Sequence, residues 1–312
     1  MKIRLKDFCG IEKRTKYFVC ILVCLFAASV ILFALLIIGE KSLNKKGMAD
    51  AEALSAFQRV TIEAKSAIVW DVINNREIFS KNPDEPLPLA SLTKIMTAII
   101  TNEKLEDDQK VKITGKDLEP EGDSELMVGD TWRAGDLRDF TLLTSSNDGA
   151  FALAAVAEAS EGNIESQFIK EMNDAANQIG LSNSKFFNEH GLDREVDRGG
   201  AYGSAHDMAI LFEYALKNYP EILEATRYKN LEFASVEKKY SAENTNVLVD
   251  KIPNIIASKT GFTDLAGGNL IIAFDAGLNR PIIISVLGSS EEGRFSDMLQ
   301  LVEATMRQIP NL

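Results

Sequence analysis

Ser91 and Lys94, in the stretch LPLASLTKIMTAII (residues 87–100), have the types and spacing of a nucleophile and its base. Positions three apart on a helix stand about 60° apart around the axis, so both side chains lie on one edge. A lysine lowered by the helix dipole, burial and a neighbouring cation can take up the serine proton. The spacing alone does not select this pair, because Ser-x-x-Lys also starts at Ser42, Ser182 and Ser235. Ser91 has a plainer role as a helix N-cap, for which serine is favoured. A capping box, however, places Glu or Gln three residues on, and this chain places Lys94 there. A cation in the first turn also faces the positive end of the dipole. The arrangement is poor as capping and sensible as acyl-transfer chemistry.

Two further groups could complete such a site. Ser145-Ser146-Asn147, in LLTSSNDGAFALAA, reads by itself as a turn whose polar side chains cap the helix beginning near Asp148. Ser-x-Asn occurs elsewhere, at Ser42 and Ser80, whereas Lys259-Thr260-Gly261 occurs once. That tripeptide closes the run NIIASKTG, and its glycine lets a ligand backbone approach closely; a solvated strand end is the alternative. The chain has two histidines, His190 and His206, and neither stands in a nucleophile-elbow context, which argues against a Ser-His-Asp hydrolase. His190, in NEHGLD, reads as a packed or turn histidine. No His/Cys/Asp cluster has metal-ligand spacing, so neither a metal nor another cofactor is expected.

The elements that must hold these groups are legible in outline. AIVWDV and REIFS flank Ile73-Asn74-Asn75, a turn whose asparagines tolerate positive φ, and predict a hairpin. Leu92, Ile95, Met96, Ile99 and Ile100 follow the i, i+3, i+4, i+7, i+8 pattern and predict a helix over 92–102. A mostly helical middle spans roughly 136–219, with helices in DGAFALAAVAEAS, IESQFIKEMNDAANQIG and AHDMAILFEYALK. Strands follow in NIIASKTG, GNLIIAFDA and PIIISVLG, then a closing helix over about 294–308. Strands at both ends with helices between them predict an α+β fold: an antiparallel sheet assembled from both ends of the chain, flanked by helices, beside a helical lobe.

Ahead of this lies a run of 22 residues without a charge, 17–38. As a helix it spans roughly 33 Å, enough to cross a bilayer core. The run is longer than a signal-peptide core, and the first Ala-x-Ala lies about ten residues beyond it, which favours an uncleaved anchor. Six Lys/Arg among residues 1–16, against Asp7 and Glu12, place that end in the cytoplasm and everything after the run outside. The expected organisation is a basic tail (1–16), a transmembrane helix (17–38), a spacer (39–60) and a catalytic domain (61–312) of one large core. The net charge is −12, and −16 without the tail, which argues against nucleic acid as a partner. Cys9, Cys20 and Cys24 all lie in or before the anchor, leaving the outer domain without thiol chemistry.

Taken together and in this order, Ser-x-x-Lys, Ser-x-Asn and Lys-Thr-Gly occur in penicillin-binding proteins and class A β-lactamases. The chain resembles the D-alanyl-D-alanine carboxypeptidases of the low-molecular-mass penicillin-binding type. The likeness extends through SAIVWDVINNREIFSKNPDEPLPLASLTKIMTA, FFNEHGLD, AYGSAHDMAIL and SKTGFTDLAGGNLI, and so covers most of residues 61–305. It implies a serine DD-peptidase/β-lactamase-like fold and an acyl-enzyme on Ser91. By the same resemblance Lys94 is the general base and Ser145 relays protons toward the leaving group. Asn147 holds a substrate amide, Lys259 supplies a positive field, and Thr260 and Gly261 line the substrate. The backbone N–H groups of Ser91 and Phe262 form the oxyanion hole, and Arg294 pairs with the substrate's terminal carboxylate. A surface arginine at a helix start is the plainer role for Arg294. The implied partners are a peptidoglycan stem peptide ending in D-Ala-D-Ala, and β-lactams as covalent inhibitors.

Two departures from the family pattern stand out. Ser146 occupies a position that is usually glycine. The β-rich C-terminal domain and amphipathic helix of many relatives are expected to be absent, with the N-terminal run as the anchor. No Glu-x-x-x-Asn signature of class A β-lactamases lies between Ser145 and Lys259, and Glu189 is a weak candidate for a deacylation base. Slow release of a β-lactam acyl group is therefore expected. A DD-endopeptidase, a β-lactamase relative and a non-catalytic wall-binding or penicillin-sensing scaffold are the rival readings.

Overall fold

Residues 281–289 and 267–275 are nearly unbroken apolar runs because each strand is buried on both faces. The structure, a computed structural model, describes residues 56–309 except 123–124, 160–166 and 278, together with 29 and 31–33. Its strands are β1 (Ser66–Asp71), β2 (Arg76–Lys81), β3 (Leu87–Pro88), β4 (Lys110–Lys112), β5 (Thr131–Arg133) and β6 (Lys185–Phe186). They continue with β7 (Ala201–Gly203), β8 (Asn230–Ala234), β9 (Lys239–Glu243), β10 (Ile255–Thr263), β11 (Gly267–Asp275) and β12 (Pro281–Ser289). Helices α1 (Thr93–Lys104), α2 (Ala134–Thr144), α3 (Asn147–Ala159), α4 (Gln167–Ile179), α5 (Ala205–Asn218) and α6 (Glu221–Glu224) fill the middle. Helix α7 (Gly293–Gln308) closes the chain's folded unit.

The main sheet has the order β10-β11-β12-β1-β2, with antiparallel pairing throughout. β1 enters from the N-terminal side and pairs with the last strand, Val69 opposite Ile284, as expected for a sheet built from both ends. Alternate residues point to opposite faces. Ile68, Trp70, Ile271, Ala273 and Ile283 join one core with the helical lobe, including Ile95, Met96 and Ile99 of α1 and Phe212 of α5. Val69, Leu270, Ile272, Phe274, Ile282 and Ile284 join the other core with Phe295, Met298 and Leu301 of α7. Each large aliphatic or Phe side chain among them contributes about 1.5–3 kcal/mol by burial, and only a two-sided strand rewards so many in sequence.

The predicted hairpin forms between β1 and β2, and Asn75 takes φ 49°, the conformation its side chain tolerates. The helices and strands fall where the periodicity places them, within a few residues. The structure adds the hairpin β8–β9 and the short strands β3–β7, which the sequence pattern does not single out. Their strands are at most five residues long, and β8–β9 is largely exposed, so they carry little apolar signal. The compact unit runs from Ala56 to Ile309. Phe57, assigned to the spacer in the sequence reading, stacks on Phe79 with ring centroids 5.0 Å apart, so the folded unit begins before residue 61. Among the described residues no helix is long and apolar enough to cross a membrane. The segment expected to do so, 17–38, lies outside the described residues except at 29 and 31–33, as does most of the spacer.

Candidate active site

Ser91 does not cap the helix. It sits in a separate 3-10 turn, Ala90–Leu92, while α1 starts at Thr93 with Leu92 at its N-cap position and no side-chain cap bond. Ala90, just before Ser91, adopts φ 48°, a left-handed conformation rare for a residue with a Cβ. Such a position costs on the order of 1–3 kcal/mol and persists only where surrounding contacts impose it. Here they do. Thr93 Oγ1 donates to Ala90 O at 2.7 Å, Leu89 N donates to Ala201 O at 2.9 Å, and Asn269 Nδ2 donates to Pro88 O at 2.9 Å. Gly191 lies against the turn so closely that a Cβ there would stand 2.0 Å from Ala90 O. The turn is thereby clamped between the sheet and the 188–192 loop.

Lys94 is buried at the start of α1, and its Nζ has three close oxygens: Ser91 Oγ at 2.8 Å, Asn147 Oδ1 at 2.6 Å and His190 O at 2.7 Å. Burial lowers its pKa to about 7, against the opposing pull of the Glu189 and Asp148 carboxylates. The neighbouring cation invoked from sequence is not needed for this shift. His190 supplies only its carbonyl to Lys94. Its imidazole accepts from Leu192 N at 3.1 Å, and burial, with the Lys94 charge, pushes it down to about 3, so the ring stays neutral at ordinary pH. Glu189 is partly buried, which raises its carboxyl pKa, and its backbone carbonyl accepts from Thr97 Oγ1 at 2.6 Å.

The Ser145-Ser146-Asn147 turn divides the labour that the sequence could not. Ser145 ends α2 in a left-handed conformation, φ 62°. Ser146, not Ser145, makes the cap: its Oγ accepts from Gly149 N at 2.8 Å. The unusual Ser146 therefore fixes the start of α3. Ser145 Oγ is left to accept from Lys259 Nζ at 2.8 Å. Asn147 is engaged at both ends, with Oδ1 on Lys94 and Nδ2 donating to Glu121 O at 2.5 Å.

Lys259 is buried in β10, and its Nζ also donates to Thr260 O at 2.8 Å. Burial first, then the charges of Lys94 and Arg294, hold its pKa well below the usual lysine value. Gly261 faces the nucleophile's turn: a Cβ there would stand 3.0 Å from Leu89 O and 3.1 Å from Ser91 N. Phe262 is exposed at the strand's end. Arg294 is not a surface arginine. It is buried in the first turn of α7, donates from Nη1 to Gly261 O at 2.8 Å, and lies 4.7 Å from the Phe295 ring centroid and 6.0 Å from that of Phe262. Ser91, Lys94 and Asn147 thus form one hydrogen-bonded set and Ser145 and Lys259 a second, the charge of Lys94 acting on Lys259, with Gly261 and Arg294 packed beside them. Two contributors escaped sequence reading. Asn269, fully buried, ties the nucleophile's loop to Gly288 N at 2.8 Å, and Thr245 Oγ1 lies 2.6 Å from Thr260 Oγ1. A lone asparagine inside the apolar run GGNLIIAF was the available signal for the first. Among the described residues no group of three or more His, Cys, Asp or Glu could hold a metal ion.

Residues 52–291 match the family of D-alanyl-D-alanine carboxypeptidases, peptidase S11. The chain belongs to that family. The carboxypeptidase DacF of Bacillus subtilis is 31% identical over 254 residues, which cover 79% of this chain and 63% of that protein. The chain therefore spans less than two thirds of that relative. A D-alanyl-D-alanine endopeptidase of Escherichia coli is 30% identical over 264 residues, covering 83% of this chain and 82% of that one. Among solved structures, penicillin-binding protein D2 of Listeria monocytogenes, in its ampicillin-bound form, is 30% identical with a TM-score of 0.68. That match covers 79% of this chain and 98% of the Listeria chain. The family's α+β serine DD-peptidase fold is the fold described above.

Proposed function

We propose that this chain is a serine-type D-alanyl-D-alanine carboxypeptidase that removes the terminal D-alanine from peptidoglycan stem pentapeptides and is acylated by β-lactams at Ser91. The observation that carries this reading is the trio of oxygens around Lys94 Nζ. A neutral lysine has two N–H groups and one lone pair. Asn147 Oδ1 and His190 O can only accept, so they take both N–H groups, and the lone pair is left for the Ser91 hydroxyl proton. With a pKa of about 7, roughly half of Lys94 is in that state at neutral pH.

Ser91 Oγ then attacks the carbonyl of the penultimate D-alanine as its proton passes to Lys94. The negative oxygen that forms is received by the backbone N–H groups of Ser91 and Phe262, each such donor supplying about 3–4 kcal/mol. The peptide C–N bond breaks, and the departing D-alanine amine takes a proton through Ser145, whose hydroxyl is held by Lys259. Water hydrolyses the Ser91 ester in the second half-reaction. Asn147 holds the peptide amide once its Nδ2 exchanges Glu121 O for the substrate carbonyl. Thr260 and Arg294 receive the terminal carboxylate, a task suited to a guanidinium fork.

The similarity to an Escherichia coli endopeptidase over most of its length favours one second reading, in which the same acyl transfer cuts a cross-link instead. The uncharged 17–38 run and the basic 1–16 tail support a cell-membrane anchor with the catalytic unit outside. D-alanine release from a pentapeptide ending in D-Ala-D-Ala tests the main reading. Release by the wild type and none by Ser91→Ala is expected. Release only from cross-linked dimers would turn the assignment to endopeptidase, and no release from either would favour a scaffold.

A further inference from the structure

Asn244-Thr245-Asn246 lies between β9 and β10, and its two asparagines hold the backbone rigidly. Asn244 is buried and donates to Thr226 O at 2.8 Å and Tyr228 O at 2.9 Å, while its Oδ1 accepts from Asn246 N at 2.8 Å. Asn246 Oδ1 accepts from Leu248 N at 3.0 Å. Between them Thr245 is half-buried. Its N donates to Leu143 O at 3.3 Å, two residues before Ser145, and its hydroxyl meets that of Thr260 at 2.6 Å.

We propose that Thr245 is a positioning residue for substrate capture: it donates its hydroxyl proton to Thr260 Oγ1 and so turns the Thr260 proton toward the carboxylate of the substrate. The inference rests on the carboxypeptidase reading above. Each hydroxyl has one proton, and the pair admits two directions of donation. If Thr260 donates to Thr245, an oxygen lone pair faces an arriving anion and repels it. If Thr245 donates to Thr260, the only proton of Thr260 is free for the carboxylate, and the two bonds align and strengthen each other. An anionic substrate therefore selects the second direction; without a donor at 245 the Thr260 hydroxyl still turns to the carboxylate but loses the bond that orients and polarises it. The clamped asparagines keep that donor in reach before any substrate arrives.

The test is a comparison of Thr245→Val, Thr245→Ala and Thr245→Ser on two peptides, one ending in D-Ala-D-Ala with a free carboxylate and one with that terminus amidated. For Val and Ala the KM of the carboxylate peptide should rise about 3- to 10-fold, the loss of one net hydrogen bond, with kcat within about twofold. The amidated peptide should be affected less than about twofold by either, and Ser should behave as wild type. Equal losses on both peptides, a Ser variant as poor as Val, or no loss at all overturns the proposal. Thr245→Ala keeps the comparison open if the branched variant does not fold. A wild-type protein acylated by neither peptide nor penicillin overturns the functional reading, and this proposal with it; any other failure touches the proposal alone.

Discussion

Replacing Asn147 by aspartate changes one atom type and places a carboxylate oxygen where Asn147 Oδ1 now sits, 2.6 Å from Lys94 Nζ. At its ordinary value of 10.5 Lys94 would be neutral in about 1 molecule in 3,000 at pH 7; lowered to about 7 it is neutral in about half, a gain of about 10³ in the competent base. A carboxylate in contact favours the charged ammonium and typically moves such a pKa by about 1–3 units, here upward. The midpoint moves from about 7 to between about 8 and 10, and the neutral fraction at pH 7 falls about 5- to 500-fold. The assay is the second-order rate of acylation by a fluorescent penicillin between pH 5 and 10. For the wild type the neutral amine is the active form, so the rate should fall about tenfold per pH unit below pH 6 and level off above pH 8. For Asn147→Asp the whole limb should shift to higher pH, with partial recovery in alkali. A lowered rate with an unmoved midpoint would show that Asn147 only holds substrate, and a wild-type rate flat from pH 5.5 to 8.5 would remove Lys94 as the base.

Two other outcomes follow from the geometry. Gly261→Ala puts a methyl group about 3 Å from the backbone of Leu89 and Ser91, atoms that cannot turn aside. Acylation should drop about 10- to 100-fold, the cost of a sub-ångström misplacement, with the melting temperature lowered by a few degrees; wild-type acylation would mean that the strand does not set the nucleophile's position. His190, neutral with a pKa of about 3, is too weak a base to activate water, and Glu189 Oε1 lies 3.6 Å from His190 Nε2, so the penicilloyl ester should persist. Nitrocefin turned over many times per second would contradict that.

The sheet was legible because its strands are buried on both faces: short apolar runs such as LIIAF and IIISV, bounded by turn residues, suit a strand. Helix α1 was equally plain from its apolar stripe, yet the decisive local fact was not. Whether Ser91 caps α1 or occupies its own strained turn depends on Ala201, Asn269 and Gly191, residues about 100 to 180 positions away that press on that turn. The same holds for Arg294. Its spacing from Lys259 suggested a partner for substrate, but its burial against Gly261 O and the Phe295 ring is a tertiary contact with no local signature. Ser146 reads as an oddity in sequence and as an ordinary cap in three dimensions. Thr245 gave no signal, since a threonine between two asparagines looks like any turn until the strand beside it is in place.

The claim on which everything else rests is that Ser91, activated by Lys94, forms the covalent bond. Reaction with penicillin, followed by protease digestion and mass spectrometry of the labelled peptide, tests it directly. The added mass should lie on Ser91, with labelling abolished in Ser91→Ala and in Lys94→Arg, whose guanidinium cannot give up its proton. An adduct on Ser145 or any other residue would contradict the account.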